Sequence, residues 1–389
     1  MNIMILTWLF PPSTGGIEAN AYRLAKNLSE KNNVSVFTAG KKYKGEEKEG
    51  FRVFRVQEMD PAGLKAKGYA TLFNRMKNVL KNEHIDVVLS YNLSCLSTTF
   101  SKTLISAIEG SGVPLIEYCG DARYKNLNKN LVNEFKQILA VSNFVRDRLI
   151  KIGYDKRRVR TVYNGVPTEL FDSKKYSKNK SLEMFGLPKN KKIIVFPSRA
   201  IRGNGQFNRQ KGFLTIINSL KEVRNRTKID FVVVFPMVVG RKDKNPLGEK
   251  NLAKLKLKLK KNGLDDNVIF IERRIPVEEM PFLYKTADIV LTPSVNEALG
   301  TVFLESLSMG IPAIGAKSGG IPEVIVNRKT GFTIKPGDSK DLAKKIVKLL
   351  DNEKLRSRMG KNSRKRALKV FHYEKMVCKL KKIFRKAVK

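Results

Sequence analysis

The hydrophobic positions of this chain fall into short continuous runs, separated by turns and by segments with a helical period. Runs at 3–6, 34–38, 53–56, 87–90, 115–118, 137–141 and 159–163 are mostly β-branched or aliphatic. After a polar interval the pattern resumes at 193–197, 231–235, 268–271, 289–292 and 312–315. Short apolar runs bounded by turn residues read as strands covered on both faces. The helical segments between many of them read as crossover connections. Together they predict α/β architecture with parallel sheets and helices on both sides. The segment 252–261 alternates Leu and Lys like a strand. Leu252, Leu255 and Leu259 also share a helix face, and both residue types favour helices, so a helix is expected.

A chain of 389 residues is too long for one ordinary core and suits two domains. The stretch 171–180, Phe-Asp-Ser-Lys-Lys-Tyr-Ser-Lys-Asn-Lys, is polar and marks a boundary. The expected organisation is a Rossmann-like domain over 1–170, a linker over 171–190 and a second Rossmann-like domain over 191–365. A basic helix over 366–389 either closes the second domain or crosses back to the first. Doubly wound domains bind ligands at the carboxyl ends of their strands, and a crevice between two facing domains is the natural place for a shared site.

Composition narrows the class. The three cysteines, Cys95, Cys119 and Cys378, match no metal-binding spacing, and His84 and His372 are the only histidines, so no metal site is expected. Scattered thiols suit a reducing compartment. The first ten residues are apolar but lack a basic leader, and prolines and glycines cut them short, so they read as a buried strand rather than a signal. No run reaches the roughly 20 apolar residues a membrane span needs. A cytoplasmic protein is expected. Lys and Arg number 76 against 36 Asp and Glu, a net charge of +40, and residues 340–389 alone hold 19 basic and four acidic residues. Such a field attracts polyanions, and it equally fits a solvated, Lys-rich surface that reflects compositional bias. Tyr69, Leu72, Phe73, Met76, Val79 and Leu80 form a stripe flanked by Lys65, Lys67, Arg75, Lys77 and Lys81. It fits a core-facing helix or a membrane-surface helix. The second reading, with the charge, supports peripheral attachment to the inner face of an anionic membrane.

Three motifs carry chemistry. Pro11-Pro-Ser-Thr-Gly15-Gly16-Ile-Glu18 follows the first strand and precedes a helix; its glycines let backbone approach a ligand near the helix N-terminus. Glu297-Ala-Leu-Gly300-Thr-Val-Phe-Leu-Glu305 sets two carboxylates around a helix start, suited to a polyhydroxylated, phosphorylated ligand. Gly319-Gly320, Glu323 and Gly331-Phe332 follow as loops rimming one pocket. Arg199 and Lys211-Gly212 lie past the strand at 193–197, where two cations suit a diphosphate.

In order, Pro-x-x-x-Gly-Gly-Ile-Glu, Val141-Ser142, Tyr163-Asn-Gly-Val166, Arg199 with Lys211-Gly212, Ala287-Asp288, Pro293-Ser294, Glu297-x7-Glu305 and Gly319-Gly320 resemble the retaining glycosyltransferase family 4, the glycosyl transferases group 1. The resemblance implies the GT-B fold, two Rossmann-like domains facing each other across a cleft, and transfer of a sugar from a nucleotide-diphosphate sugar. It implies that Gly15 and Gly16 approach the donor diphosphate and that Arg199 and Lys211 neutralise it as it leaves. Glu297 and the amides of Ala298, Leu299 and Gly300 would hold the sugar. Thr301 and Val302 would add donors near the phosphates, Glu305 would bind the ribose, and backbone around Arg273 and Ile275 would flank the base. Family members commonly carry a histidine after the strand at 115–118; here Cys119 and Asp121 occupy that region and become the candidate acceptor or sugar contacts.

No Asp-x-Asp occurs, which argues against a metal-chelating transferase, and no metal cofactor is expected. Gly310–Ser318 nearly spells a phosphate-binding loop, but Ala316 interrupts it and Pro312 lies within it. Nucleic acid is disfavoured as a partner, because no zinc-finger spacing or aromatic-basic motif accompanies the charge. The expected partners are a nucleotide sugar and an acceptor glycan or lipid-linked acceptor. The alternatives are a GT-B subunit weakened in catalysis and kept as a scaffold, or a polyanion-binding protein whose ligand is nucleic acid.

Overall fold

The structure is a computed structural model that describes the chain apart from residues 13–15, 41–44, 61–63, 121–127, 132, 199, 202–205, 237–245 and 274, and the side chains of Ile17 and Pro246. It divides into two compact units, Met1–Asn164 with Glu374–Lys389, and Gly165–Tyr373.

The first unit is built on eight strands: β1 (Asn2–Thr7), β2 (Asn33–Ala39), β3 (Glu46–Lys48), β4 (Phe51–Val56), β5 (Val87–Tyr91), β6 (Leu115–Cys119), β7 (Gln137–Ala140) and β8 (Val159–Thr161). Their order is β3-β4-β2-β1-β5-β6-β7-β8, and every pair is parallel except β3 with β4. Ile3, Met4 and Ile5 of β1 are all fully buried, as a strand with helices on both faces requires. The helices are α1 (Gly16–Ser29), α2 (Ala66–Asn82), α3 (Thr98–Glu109) and α4 (Asn143–Lys151). Ser142 caps α4, its hydroxyl accepting from the Val145 amide at 3.1 Å.

Helix α2 settles the two readings of its stripe. Leu72, Met76, Val79 and Leu80 are buried in the unit's own core, and Arg75 is paired with Glu58. The apolar face is spent on folding, so the membrane-surface reading of this helix is set aside.

The second unit holds β9 (Lys192–Val195), β10 (Phe231–Pro236), β11 (Val268–Ile271), β12 (Ile289–Thr292), β13 (Ala313–Ala316) and β14 (Gly331–Ile334). All are parallel, in the order β11-β10-β9-β12-β13-β14. Counted along the chain this is 3-2-1-4-5-6, the doubly wound dinucleotide-fold order. Its helices are α5 (Lys178–Met184), α6 (Phe213–Arg226), α7 (Pro246–Lys261), α8 (Met280–Thr286), α9 (Thr301–Ser308), α10 (Ile321–Val324), α11 (Ser339–Leu350) and α12 (Glu353–Val370). Alternate residues of β9 feed two cores, Ile194 on one face and Ile193 with Val195 on the other. In α7, Leu252, Leu255 and Leu259 are buried while Leu257 is exposed, so the Leu/Lys alternation is helical. Gly331-Phe332, expected in a loop, begins β14: a Cβ at Gly331 would lie 2.0 Å from the Ala313 carbonyl, so only glycine lets the two strands pair here.

Residues 171–190, expected as a linker, fold into this unit. Phe171 is fully buried against Tyr284, with ring centroids 5.9 Å apart, and Leu182 joins the core. The Arg364 guanidinium donates to the carbonyls of Thr168 at 3.1 Å, Phe171 at 3.0 Å and Ser308 at 2.8 Å, and pairs with Asp172 at 3.0 Å. The basic segment after 366 is not one helix. α12 ends at Val370, and α13 (Tyr373–Val388) returns to the first unit, burying Met376, Val377, Leu380 and Phe384 there. Among the described residues no helix is long and apolar enough to cross a membrane.

Candidate active site

In a doubly wound sheet the crevice forms where the chain leaves one strand for one side and its neighbour for the other. In the second unit that point lies between β9 and β12. The segment after β9 ends in a single helical turn, Arg209–Lys211, closed by Asn208, whose side-chain oxygen accepts from the Lys211 amide at 3.3 Å. Gly212 follows at φ +77°, and a Cβ there would lie 2.3 Å from the Pro293 carbonyl. The turn therefore lies directly on the exit of β12. The Val295 amide donates to the Gln210 carbonyl at 2.9 Å, which fixes the two loops together.

This packing brings Lys211 and Glu297 into contact. The Lys211 ammonium lies 2.6 Å from the Glu297 carboxylate, and the two side chains are 33% and 20% exposed. A cation and an anion thus share one partly open position, 86 residues apart in sequence.

The loop after β13 clamps the main chain of the same carboxylate. The Gly320 amide donates to the Glu297 carbonyl at 2.9 Å. Gly319, at φ +60°, lies where a Cβ would fall 1.9 Å from that carbonyl, and a Cβ at Gly320 would fall 2.2 Å from the Ala298 carbonyl. Ser318 adds a hydroxyl bond to the Val295 carbonyl. The contacts of Gly319 and Gly320 are backbone on backbone, so any side chain at 319 or 320 would displace the loop that holds Glu297.

Gly300, at φ +90°, turns the chain into α9. Leu299 is buried, while Ala298, Thr301 and Val302 remain partly exposed at the helix start, where amides lack intrahelical partners. One turn on, the Glu305 carboxylate accepts from the Tyr284 hydroxyl at 2.8 Å, and the same hydroxyl lies 3.2 Å from the Val302 carbonyl. Burial, then the charge of Glu305, holds the Tyr284 phenol protonated well above its ordinary range. Tyr284 therefore acts as a fixed donor to Glu305. It was not among the expected site residues; on a short apolar helix it reads as core.

Arg273 pairs with Glu279 at 2.6 Å and lies 5.5 Å from the Phe185 ring centre, and Ile275 packs into the core with Leu182 and Val195. Their side chains are engaged in the fold, which leaves backbone for any ligand. Arg199, Gly15 and Asp121 lie outside the described residues.

In the first unit the corresponding switch point lies between β1 and β5. Gly16 is exposed at the first position of α1. Cys119 ends β6 with no exposed surface, so its thiol is not available to a sugar, which corrects its expected role. The residue that organises this strand end is Glu117, fully buried on β6. It accepts from the Ser94 amide at 3.0 Å, the Ser94 hydroxyl at 2.7 Å and the Ser90 hydroxyl. Burial pushes its carboxyl up, while the serine donors pull it down. Beside it Asn92, in the left-handed region at φ 56°, accepts from the Gly120 amide at 2.6 Å.

The comparisons with known proteins agree with this architecture. The model of the family Glycosyl transferases group 1 matches residues 177–366, and that of Glycosyltransferase Family 4 matches 14–170. The N-acetyl-alpha-D-glucosaminyl L-malate synthase of Bacillus anthracis is 24% identical over 80% of this chain and 78% of the synthase. A glycosyltransferase from Rickettsia africae has the same fold at a TM-score of 0.82 and 19% identity, covering 100% of this chain and 99% of that one. Anabaena HepE in complex with UDP-glucose superposes at 0.74 with 20% identity, covering 99% of this chain and 100% of HepE. Two family models that meet near the boundary between the units, and a fold shared from end to end, place the chain in glycosyltransferase family 4, the glycosyl transferases group 1, with the GT-B fold.

Proposed function

We propose that the chain is a retaining, metal-independent glycosyltransferase. It moves a sugar from a nucleotide-diphosphate sugar to a hydroxyl of a glycan or lipid-linked acceptor, in assembly of a polysaccharide, glycolipid or other glycan. The observation that carries this reading is the Lys211–Glu297 pair at the switch point of the second unit, 2.6 Å apart and clamped by Gly319 and Gly320. A sugar phosphate needs an acceptor for its hydroxyl hydrogens beside a cation for its phosphate oxygens, and this pair supplies both. The UDP-glucose held by HepE is the same class of molecule.

In the reaction, Glu297 accepts hydrogen bonds from hydroxyls of the transferred sugar, and the amides at the start of α9 face the phosphates. Glu305, fixed by Tyr284, takes the ribose hydroxyls. The acceptor hydroxyl attacks the anomeric carbon on the face of the leaving group as the bond from that carbon to the diphosphate oxygen breaks. The acceptor proton passes to a departing phosphate oxygen. Arg199 and Lys211 offset the negative charge that grows on the diphosphate, so their contribution is greatest in the transition state.

The test is transfer or hydrolysis across a panel of UDP-, GDP- and ADP-sugars. Lys211→Ala and Glu297→Ala are each expected to lower turnover about 100-fold or more, the loss seen when one transition-state contact is removed. Activity is expected to persist in EDTA. Near-native turnover in either variant would displace the site. Loss in EDTA restored by manganese would overturn the metal-free mechanism.

A further inference from the structure

We propose that the cavity between the last turns of α13 and the edge strand β8 binds the phosphate headgroup of an anionic phospholipid and holds the first unit on a membrane surface. The cavity has a volume of about 480 Å³. Six cations line it: Arg160 from β8, and Lys379, Lys382, Arg385, Lys386 and Lys389 from α13 and the residue after it. No acidic side chain lines it. All six cations are exposed, and none takes part in an ion pair among the described residues.

Several arginines elsewhere in this unit are neutralised. Arg52, Arg55, Arg75, Arg146 and Arg157 each meet a carboxylate. Six like charges around one cavity repel one another, and a multivalent anion relieves that repulsion. Helix polarity does not account for the cluster. The carbonyl end of α13 already accepts from the Lys136 ammonium, at 2.6 Å from the Ala387 oxygen. Lys379 and Lys382 lie further back along the helix, and Arg160 is on a strand.

The choice of a lipid headgroup rests on the rest of the lining. Val162 and Ile383 are the apolar residues of the lining, and Val388, outside it and 45% exposed, lies one turn beyond Arg385 and offers apolar surface at the end of the same helix. A free polyphosphate makes no use of apolar surface, whereas a headgroup with its glycerol and first methylenes does. Single-stranded nucleic acid is bound by aromatic stacking as well as charge. No aromatic side chain lines this cavity. The surface is independent of the donor site: it lies wholly in the first unit, whereas Lys211 and Glu297 belong to the second.

The experiment is co-sedimentation of the full chain with vesicles of phosphatidylcholine, alone or mixed equally with phosphatidylglycerol, at physiological salt. Binding is expected to the mixed vesicles only. Each basic residue at an anionic surface strengthens attachment about five-fold, so the triple variant R160Q/K382Q/K386Q is expected to bind about 100-fold more weakly. The variant K354Q/R358Q/K361Q, at exposed positions of α12, removes the same net charge and is expected to bind within about two-fold of the parent. Thermal melting confirms that each variant folds. If the triple variant does not, the three single substitutions are read instead, each expected to cost about five-fold. Equal losses in the two triple variants would mean that net charge, not this cavity, drives attachment. Equal binding to neutral vesicles, or none to the mixed ones, would overturn the proposal. So would tripolyphosphate or a single-stranded oligonucleotide binding as tightly as the vesicles, with the same dependence on Arg160, Lys382 and Lys386.

Discussion

Substituting Gly319 with alanine tests how the site is held together. The residue sits at φ +60°, a conformation that costs an L side chain about 1–2 kcal/mol. The new Cβ would also fall 1.9 Å from the Glu297 carbonyl oxygen, where real contacts stay beyond 3.0 Å, so the loop must yield by about 1 Å. Overpacking of that kind costs about 1–3 kcal/mol. The expected total is about 3 kcal/mol, which in a unit of this size lowers the melting temperature by about 6–12 °C. A displacement of about 1 Å at a positioned catalytic group costs roughly 100-fold in rate. Gly337→Ala is the matched control: its φ is +80°, but nothing lies within 4 Å of a Cβ there. It is expected to lose about 1 kcal/mol, from backbone strain alone, and to keep its activity. Differential scanning fluorimetry and donor turnover, measured on both variants, separate the two effects. If Gly319→Ala melts and turns over like Gly337→Ala, the clamp on Glu297 is not what positions it.

Further substitutions at two positions probe the buried groups. Tyr284→Phe removes the 2.8 Å donor to Glu305 and is expected to weaken donor-nucleotide binding about ten-fold, as loss of a hydrogen bond to a charged group does, measured by titration calorimetry; unchanged affinity would detach Glu305 from the nucleotide. Glu117 has its carboxyl raised by burial, so the folded state favours the protonated form, and the stability this gives is present below the ordinary value of 4.5 and lost as pH rises through the folded value. Glu117→Gln is expected to remove that part of the pH dependence in urea unfolding, and Glu117→Ala to cost about 1–3 kcal/mol by orphaning the Ser90 and Ser94 donors. An unfolding profile with the same pH slope in Glu117→Gln would show that the carboxyl titrates normally.

Most of the fold was legible because a strand covered on both faces must be apolar along its whole length, and the sequence shows such runs plainly. The two strands it missed break that rule for separate reasons. β3 is Glu-Glu-Lys on the sheet edge, paired only with β4, so no core demands apolar residues of it. β14 opens with Gly331, which reads as a turn but is required by the close approach of Ala313. The supposed linker failed for a third reason. Its polarity is real, but one aromatic, Phe171, and a guanidinium 193 residues away at Arg364 tie it down, and neither leaves a local pattern. The apolar stripe on α2 was legible as a helix face, but periodicity alone cannot say whether such a face meets a core or a membrane.

At the candidate site, the charged residues were visible in the motif order, while the contacts that hold them were not. Lys211 and Glu297 are partly exposed, and an ion pair of that kind adds only about 0–1 kcal/mol to folding. Removing either charge should therefore spare the melting temperature while removing the group that the proposed reaction needs. The glycines behave in the reverse order. Gly212, Gly319 and Gly320 carry no chemistry, yet each lets one stretch of backbone touch another within the width of a side chain. Their loss reaches the reaction only by way of the fold. A sequence advertises the first kind of residue by its charge, and the second only once the partner strand is known. For that reason Gly319-Gly320 read as the rim of a pocket, when in the structure they are the clamp that sets where Glu297 stands.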